Sequence, residues 1–567
     1  MSLRLVVNIF SAAALAILLS GCAGPGGQDR SLPQLSAATG ATLGSCTELA
    51  ARISFPDTTI TGADAIPAGA LTVAGTPVPA HCQITGQMNE RVSPVDGDTY
   101  AIRFEMRLPV NWNGRFFYQA NGGIDGRVVT ATGGVNGGHG LSSALSMGFA
   151  VISSDGGHVG SRGPLFGIDP QARLDYGYQA VAALTPMAKS VIQTAYGKGP
   201  DRSYFGGCSN GGRLTMVAMS RYANEYDGFL VGDPGFRLPL AAAANIAAYQ
   251  GYASVATDPK DVSTGFTATE QKLVGRAVLA KCDALDGAAD GLVQDTRACQ
   301  AAFDLNRDVP TCSGARNGTC LSAAQKAVIF KRFSGETDSH GTAFYSSWPF
   351  DAGIGLGNTE FWYFTSPPKL DAGALAFIWE VPPEKPAGFA GSTFALTTSI
   401  DSILAKIRAT NATYTESALS FMSPPNPSDL SVLKQRGAKV MIYHGTSDPI
   451  FSFNDTVAWY ESLAVANHGN ASNFARLYAV PGMTHCSGGP STDQFDMLTP
   501  LVNWVERGQA PESVLATARG PGNPAGVNKD VPASWSPTRT RPLCAYPKVA
   551  RYKGSGSLEA ADSFSCQ

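Results

Sequence analysis

The stretch Gly207-Cys208-Ser209-Asn210-Gly211 decides the fold of this chain. It follows Ser203-Tyr204-Phe205, which has the apolar character of a buried strand, and precedes Gly212 to Met219, which reads as a helix. A serine between two glycines at a strand-to-helix junction is the G-x-S-x-G nucleophile elbow, and it implies an α/β-hydrolase core. Serine is a poor nucleophile at neutral pH. It requires a histidine to take its proton and a carboxylate to orient that histidine. In this fold they follow in the order Ser, Asp, His. Asp448 closely follows the strand-like run Ala438 to Gly445, and His485 lies in Met483-Thr484-His485-Cys486. The expected catalytic set is therefore Ser209, Asp448 and His485. Asp455, Asp493 and Asp496 are rival acids, but none follows a strand so directly. His139, His158 and His444 are read as structural.

Hydrolysis passes through an oxyanion that backbone N–H groups must stabilise, one from the residue after the nucleophile and one from an earlier strand-end loop. Asn210 supplies the first. Asn121-Gly122-Gly123, just after Phe116-Phe117-Tyr118, supplies the second, and Gly123 is preferred. A plain glycine turn is the alternative for this loop.

At 567 residues, with 15% charged and 44% hydrophobic residues, the chain is globular and too long for one average domain. A net charge of −3 without a basic block gives no footprint for nucleic acid. Arg4 and the apolar run Leu5 to Leu19 read as a signal peptide, expected over residues 1–22. Leu19-Ser20-Gly21-Cys22 resembles a bacterial lipobox, in which Cys22 is lipidated and becomes the only membrane attachment. An ordinary signal peptide cleaved nearby is the alternative, while the run is shorter than the roughly twenty residues a membrane span needs. The chain is thus expected to be exported, as a periplasmic or outer-membrane lipoprotein or a secreted protein.

Without Cys22, ten of the 11 cysteines remain, and export favours disulfides over metal thiolates. Sequence alone leaves their connectivity open. Proximity suggests Cys46 with Cys82, Cys282 with Cys299, Cys312 with Cys320, and Cys544 with Cys566. The remaining pair, Cys208 with Cys486, then draws Ser209 and His485 into one site, since bonded cysteines hold their Cα atoms roughly 5.5 Å apart.

Residues 23–43 are expected to be a flexible linker. Residues 44–235 carry the first part of the core, with strands at Tyr100 to Leu108, Arg115 to Gln119 and Phe149 to Ser154, and a helix from Tyr178 to Tyr196. Residues 236–430 change character to alanine-rich helices, irregular loops and two local cysteine pairs, and are read as an inserted lid. Long insertions of this kind shape substrate pockets. Residues 431–567 complete the core. Within the lid, Asp283, Asp286 and Asp290, with Gly287 and Gly291, form a loop whose oxygens suit a structural Ca²⁺, with carbonyls of Ala288 and Leu292 completing the shell. The spacing is not that of an EF-hand, and an acidic helix face is the alternative.

The Gly-Cys-Ser and His-Cys motifs with the intervening aspartate resemble the tannase and feruloyl esterase family of α/β-hydrolases. Asn113-Gly-Arg-Phe-Phe, Cys282-Asp-Ala-Leu-Asp-Gly and Pro481-Gly-Met-Thr-His-Cys are similar to its bacterial members that cleave terephthalate monoesters. The resemblance covers nearly everything after about residue 44 and is weakest between about 355 and 420. It implies a triad of Ser209, Asp448 and His485, a Cys208–Cys486 bridge, and calcium ligands at Asp283, Asp286, Ala288, Asp290 and Leu292. It also implies substrate contacts at Phe451 and at Gly122, where those enzymes carry serine. They bind a substrate carboxylate through a lid arginine, yet this sequence has none between Arg332 and Arg408; Lys369 and Lys385 lack the bidentate fork. The expected function is hydrolysis of esters of aromatic acids, without an organic cofactor. The alternatives are terephthalate monoester hydrolysis and a non-catalytic surface lipoprotein that binds aromatic esters.

Overall fold

The computed structural model describes residues 32–135 and 137–567. The expected signal peptide, Cys22 and the first part of the linker lie outside the described residues.

A nine-stranded sheet organises the chain. In chain order its strands are β1 (Thr58–Ile66), β2 (His81–Val92), β3 (Thr99–Pro109), β4 (Arg115–Gln119), β5 (Ala150–Ser154), β6 (Arg202–Cys208), β7 (Gly228–Gly232), β8 (Lys439–Gly445) and β9 (Ala475–Val480). Across the sheet they run β9-β8-β7-β6-β4-β5-β3-β2-β1. From β9 to β5 every neighbouring pair is parallel, whereas β3, β2 and β1 add an antiparallel edge. This is the α/β-hydrolase architecture.

The central strands are apolar along their whole length because both faces are covered. Alternate residues go to opposite cores. Phe116, Tyr118, Phe205, Phe229, Val440 and Ile442 pack with helices α1 (Ala180–Tyr196) and α2 (Asn210–Arg221). Phe117, Tyr204, Leu230, Met441 and Tyr443 pack on the other face with Leu501 and Val505 of the helix Leu498–Arg507.

The lid interrupts the sheet between Gly232 and Lys439, a slightly longer insertion than the 236–430 read from sequence. Its centre is helix α3 (Leu238–Ala253), whose alanines are buried almost all round, as a helix without a polar face must be. The apolar core of the lid is shared with Tyr100, Phe166, Ala172, Tyr176, Ile450 and Phe451 of the hydrolase part, and Leu430 and Leu433 at its end pack into the hydrolase core.

The expected linker requires a correction. Residues 32–43 are not a free tether: Leu32 and Leu35 pack against the core, Gln34 Nε2 donates to Val505 O at 2.8 Å, and Ala38 N donates to Glu506 at 2.9 Å. Ala41–Thr42 then pairs with Asn111–Trp112. The glycine-rich composition that suggested flexibility ends before these contacts begin.

Candidate active site

Strands β6, β7, β8 and β9 are sheet neighbours, and the chain leaving the carboxyl end of each brings one residue to a shared crevice. Ser209 follows β6, Asp233 follows β7, Asp448 follows β8 and His485 follows β9.

Ser209 has φ 66° and ψ −126°, a strained conformation for a residue with a side chain. The flanking glycines are required by contact: a Cβ at Gly207 or Gly211 would stand 2.4 Å from the Ala120 carbonyl oxygen. Strand and helix can approach this loop only if both positions lack side chains. Ser209 Oγ lies 2.8 Å from His485 Nε2, and His485 Nδ1 lies 2.7 Å from Asp448 Oδ2. An ionised carboxylate only accepts, so Nδ1 carries the proton and Nε2 is free to accept from the serine. Asp448 Oδ1 accepts from the N–H groups of Ile450 at 2.9 Å and Phe451 at 3.0 Å. Burial works against its ionisation, but the neighbouring His485 and His444 imidazoles and their hydrogen bonds outweigh it. The Asp448 carboxyl is held well below its ordinary value.

All five expected disulfides are present: Cys46–Cys82, Cys208–Cys486, Cys282–Cys299, Cys312–Cys320 and Cys544–Cys566. Cys208 and Cys486, with Cα atoms 6.2 Å apart, staple the elbow to the histidine loop. The rival acids are engaged elsewhere: Asp455 pairs with Arg237, Asp493 with Arg519, and Asp496 accepts from Leu498 N and Thr499 N at a helix start. His158 is buried against Phe166, and the His139 carbonyl accepts from Gln494.

A narrow cleft of about 70 Å³ opens at Ser209. Gly123 and Asn210 line it, and among the described residues neither N–H donates to a backbone carbonyl. Gly122 does not line it; an added Cβ there would stand 3.9 Å from that of Ser209. Phe451 does, with its ring edge-on to His485 at 5.2 Å between centroids. Trp362 meets His485 edge-on from the lid at 5.1 Å. Trp362, Leu370, Asp371 and Trp379 complete the lid wall, and sequence reasoning missed all four. Asp371 is buried, accepts from Ser366 Oγ at 2.9 Å, and is pushed by burial up to about 6. Lys369 and Lys385 are exposed, and no lysine or arginine among the described residues lines the cleft.

The acidic lid loop is also ordered by its own backbone. Asp283 Oδ1 accepts from Asp290 N at 2.9 Å and Gly291 N at 3.0 Å, and Asp286 Oδ1 accepts from Ala288 N at 2.9 Å. Asp290 is engaged by Arg541, a partner the sequence did not suggest. Asp286 Oδ2 is buried without a hydrogen-bond partner, and burial with the charges of Asp290 and Asp283 pushes its carboxyl up to about 7.

The model of the family "Tannase and feruloyl esterase" matches residues 82–567. The chain belongs to this family. The esterase is 40% identical over 540 residues to the mono(2-hydroxyethyl) terephthalate hydrolase of Piscinibacter sakaiensis, covering 89% of this chain and 87% of that one. It is 26% identical over 489 residues to feruloyl esterase B of Aspergillus niger, covering 82% and 83% of the two chains. The crystal structure of feruloyl esterase B from Aspergillus oryzae superposes with a TM-score of 0.73 at 24% identity, covering 92% of this chain and 99% of that one, a likeness of fold. The protein is a carboxylic ester hydrolase. Among its described residues no helix is long and apolar enough to cross a membrane.

Proposed function

We propose that this esterase cleaves carboxylic esters of aromatic acids through an acyl-enzyme on Ser209. The observation that carries the reading is the Ser209–His485–Asp448 relay, which faces a cleft walled by Trp362, Trp379 and Phe451. Ser209 Oγ attacks the ester carbonyl while its proton passes to His485 Nε2. The N–H groups of Gly123 and Asn210 hold the oxyanion, and Asp448 stabilises the imidazolium. His485 returns the proton to the leaving alcohol, and a water repeats the sequence to release the acid. The aromatic rings accept the acyl ring by stacking or edge contact.

The cleft favours an uncharged ester. Asp371 places a buried carboxyl on its wall, and a second carboxylate from a substrate would meet repulsion rather than a cation. The identity to the Piscinibacter enzyme supports a second reading, hydrolysis of the terephthalate monoester. The two are separated by specificity constants for methyl ferulate, a gallate ester, and the bis- and mono(2-hydroxyethyl) esters of terephthalate. The first reading predicts preference for the neutral esters; a preference for the monoester overturns it.

The Asp283–Leu292 loop is proposed to hold a structural Ca²⁺. The lone buried oxygen of Asp286 and the crowding of three carboxyls fit a hard dication, with the carbonyls of Ala288 and Leu292 as further oxygen ligands. Five disulfides suit an oxidising compartment, in keeping with an exported enzyme whose Cys22, if lipidated, anchors it.

A further inference from the structure

Asp233 is a second carboxylate at the triad for which the mechanism above has no use. It leaves the carboxyl end of β7, between the strands that carry Ser209 and Asp448, and is fully buried. Its backbone is held at φ 36°, a left-handed conformation that disfavours most side chains, and its N–H donates to Tyr443 O at 3.0 Å. Oδ1 accepts from Gly445 N at 2.9 Å, and Oδ2 lies 3.5 Å from Cys208 Sγ of the bridging disulfide. A ligating atom from each of Asp233, Asp448 and His485 falls within 4.8 Å of the others. His444 sits between the acids, with Nε2 3.4 Å from Asp448 Oδ2 and 3.9 Å from Asp233 Oδ1, while its Nδ1 meets Thr456 Oγ1 at 2.8 Å.

Two buried carboxyls this close are costly unless something uses the second charge. The hydrogen bond from Gly445 would be satisfied by asparagine, so hydrogen bonding alone does not require an acid. The imidazoles facing the pair are His444, which the two carboxyls hold above its ordinary value, and His485, which takes the serine proton during turnover. From this geometry we infer that Asp233 is a positioning residue that shares with Asp448 the support of the His485 imidazolium, acting as a reserve acid for the triad. Burial, opposed by the His444 charge and reinforced by that of Asp448, raises the Asp233 carboxyl above its ordinary value.

The inference rests on the serine-esterase reading, and the test separates the two. Kinetic constants are measured with methyl ferulate for the full-length enzyme and for S209A, D233N, D448N and D233N/D448N, with circular dichroism verifying each fold. Loss of turnover in S209A is expected; its persistence would overturn both claims. D233N alone should lower kcat threefold to tenfold with KM unchanged. In the D448N background, where Asp233 is the remaining acid, D233N should lower kcat by a further tenfold or more. A double variant within twofold of D448N, with S209A inactive, would overturn the inference and leave the triad standing. If D233N does not fold, D233S is compared in the same way.

Discussion

Replacing Cys208 and Cys486 together by alanine tests the link between the staple and the chemistry. Their bond closes a loop of sequence separation 278, so its removal chiefly enlarges the freedom of the unfolded chain. The chain-entropy relation gives roughly 5.5 kcal/mol for a loop of that size. With an unfolding entropy of about 2 cal/mol/K per residue over the described chain, that loss lowers Tm by about 5 °C. The catalytic effect is separate. Ser209 and His485 each adjoin a bonded cysteine, and their 2.8 Å hydrogen bond depends on two loops from different strands staying in register. A displacement of about 1 Å between reacting groups costs on the order of a hundredfold in rate. The double variant should therefore melt about 5 °C lower and lose tenfold to a hundredfold in kcat, while KM changes less. Scanning calorimetry and initial rates with methyl ferulate measure the two effects. A variant that melts within about 1 °C of the parent and turns over at the parental rate would show that the bridge neither stabilises the fold nor aligns Ser209 with His485.

Asp371→Asn tests the buried carboxyl of the cleft. Its folded value of about 6 stands above the ordinary 3.8, so the stability it contributes is present below about 4 and lost as pH rises through about 6. The variant should match the parent near pH 3.5 and exceed it near pH 8 by up to about 3 kcal/mol in denaturant unfolding, and equal stability at both would contradict the shift. Leu370→Arg places a cation at the exposed rim of the cleft and should raise kcat/KM for mono(2-hydroxyethyl) terephthalate relative to the bis-ester by about tenfold. An unchanged ratio would mean that charge in this cleft does not set selectivity. Removing Ca²⁺ by chelation should lower Tm, with recovery on adding Ca²⁺, and Asp286→Ala should abolish that response; a variant that still responds would place the ion elsewhere.

The geometry of the candidate site was legible because its constraints are local. Gly207 and Gly211 are imposed by the Ala120 carbonyl, and Asp448 and His485 follow strands whose apolar runs are short and complete. The antiparallel edge was harder to read. β1 is Thr-rich, half exposed and broken by an irregularity between Ile60 and Gly62, so its alternation is blurred. The lid wall had no readable period: Phe361–Thr365, Pro367–Asp371 and Ala374–Trp379 wind as π-helical turns, which send residues to the cleft off the 3.6-residue repeat. Asp233 left a usable signal, since it directly follows the apolar run Gly228–Gly232. His444 was visible but could be placed between two carboxyls only once the strand ends were set side by side.

The proposed acyl-enzyme on Ser209 is open to direct trapping. Rapid-quench mass spectrometry of the enzyme with methyl ferulate, followed by peptide mapping, tests it directly. A transient feruloyl adduct is expected on the peptide bearing Ser209, absent in S209A, with methanol released in a burst ahead of ferulate. Undiminished turnover in S209A, or an adduct on another residue, would contradict it.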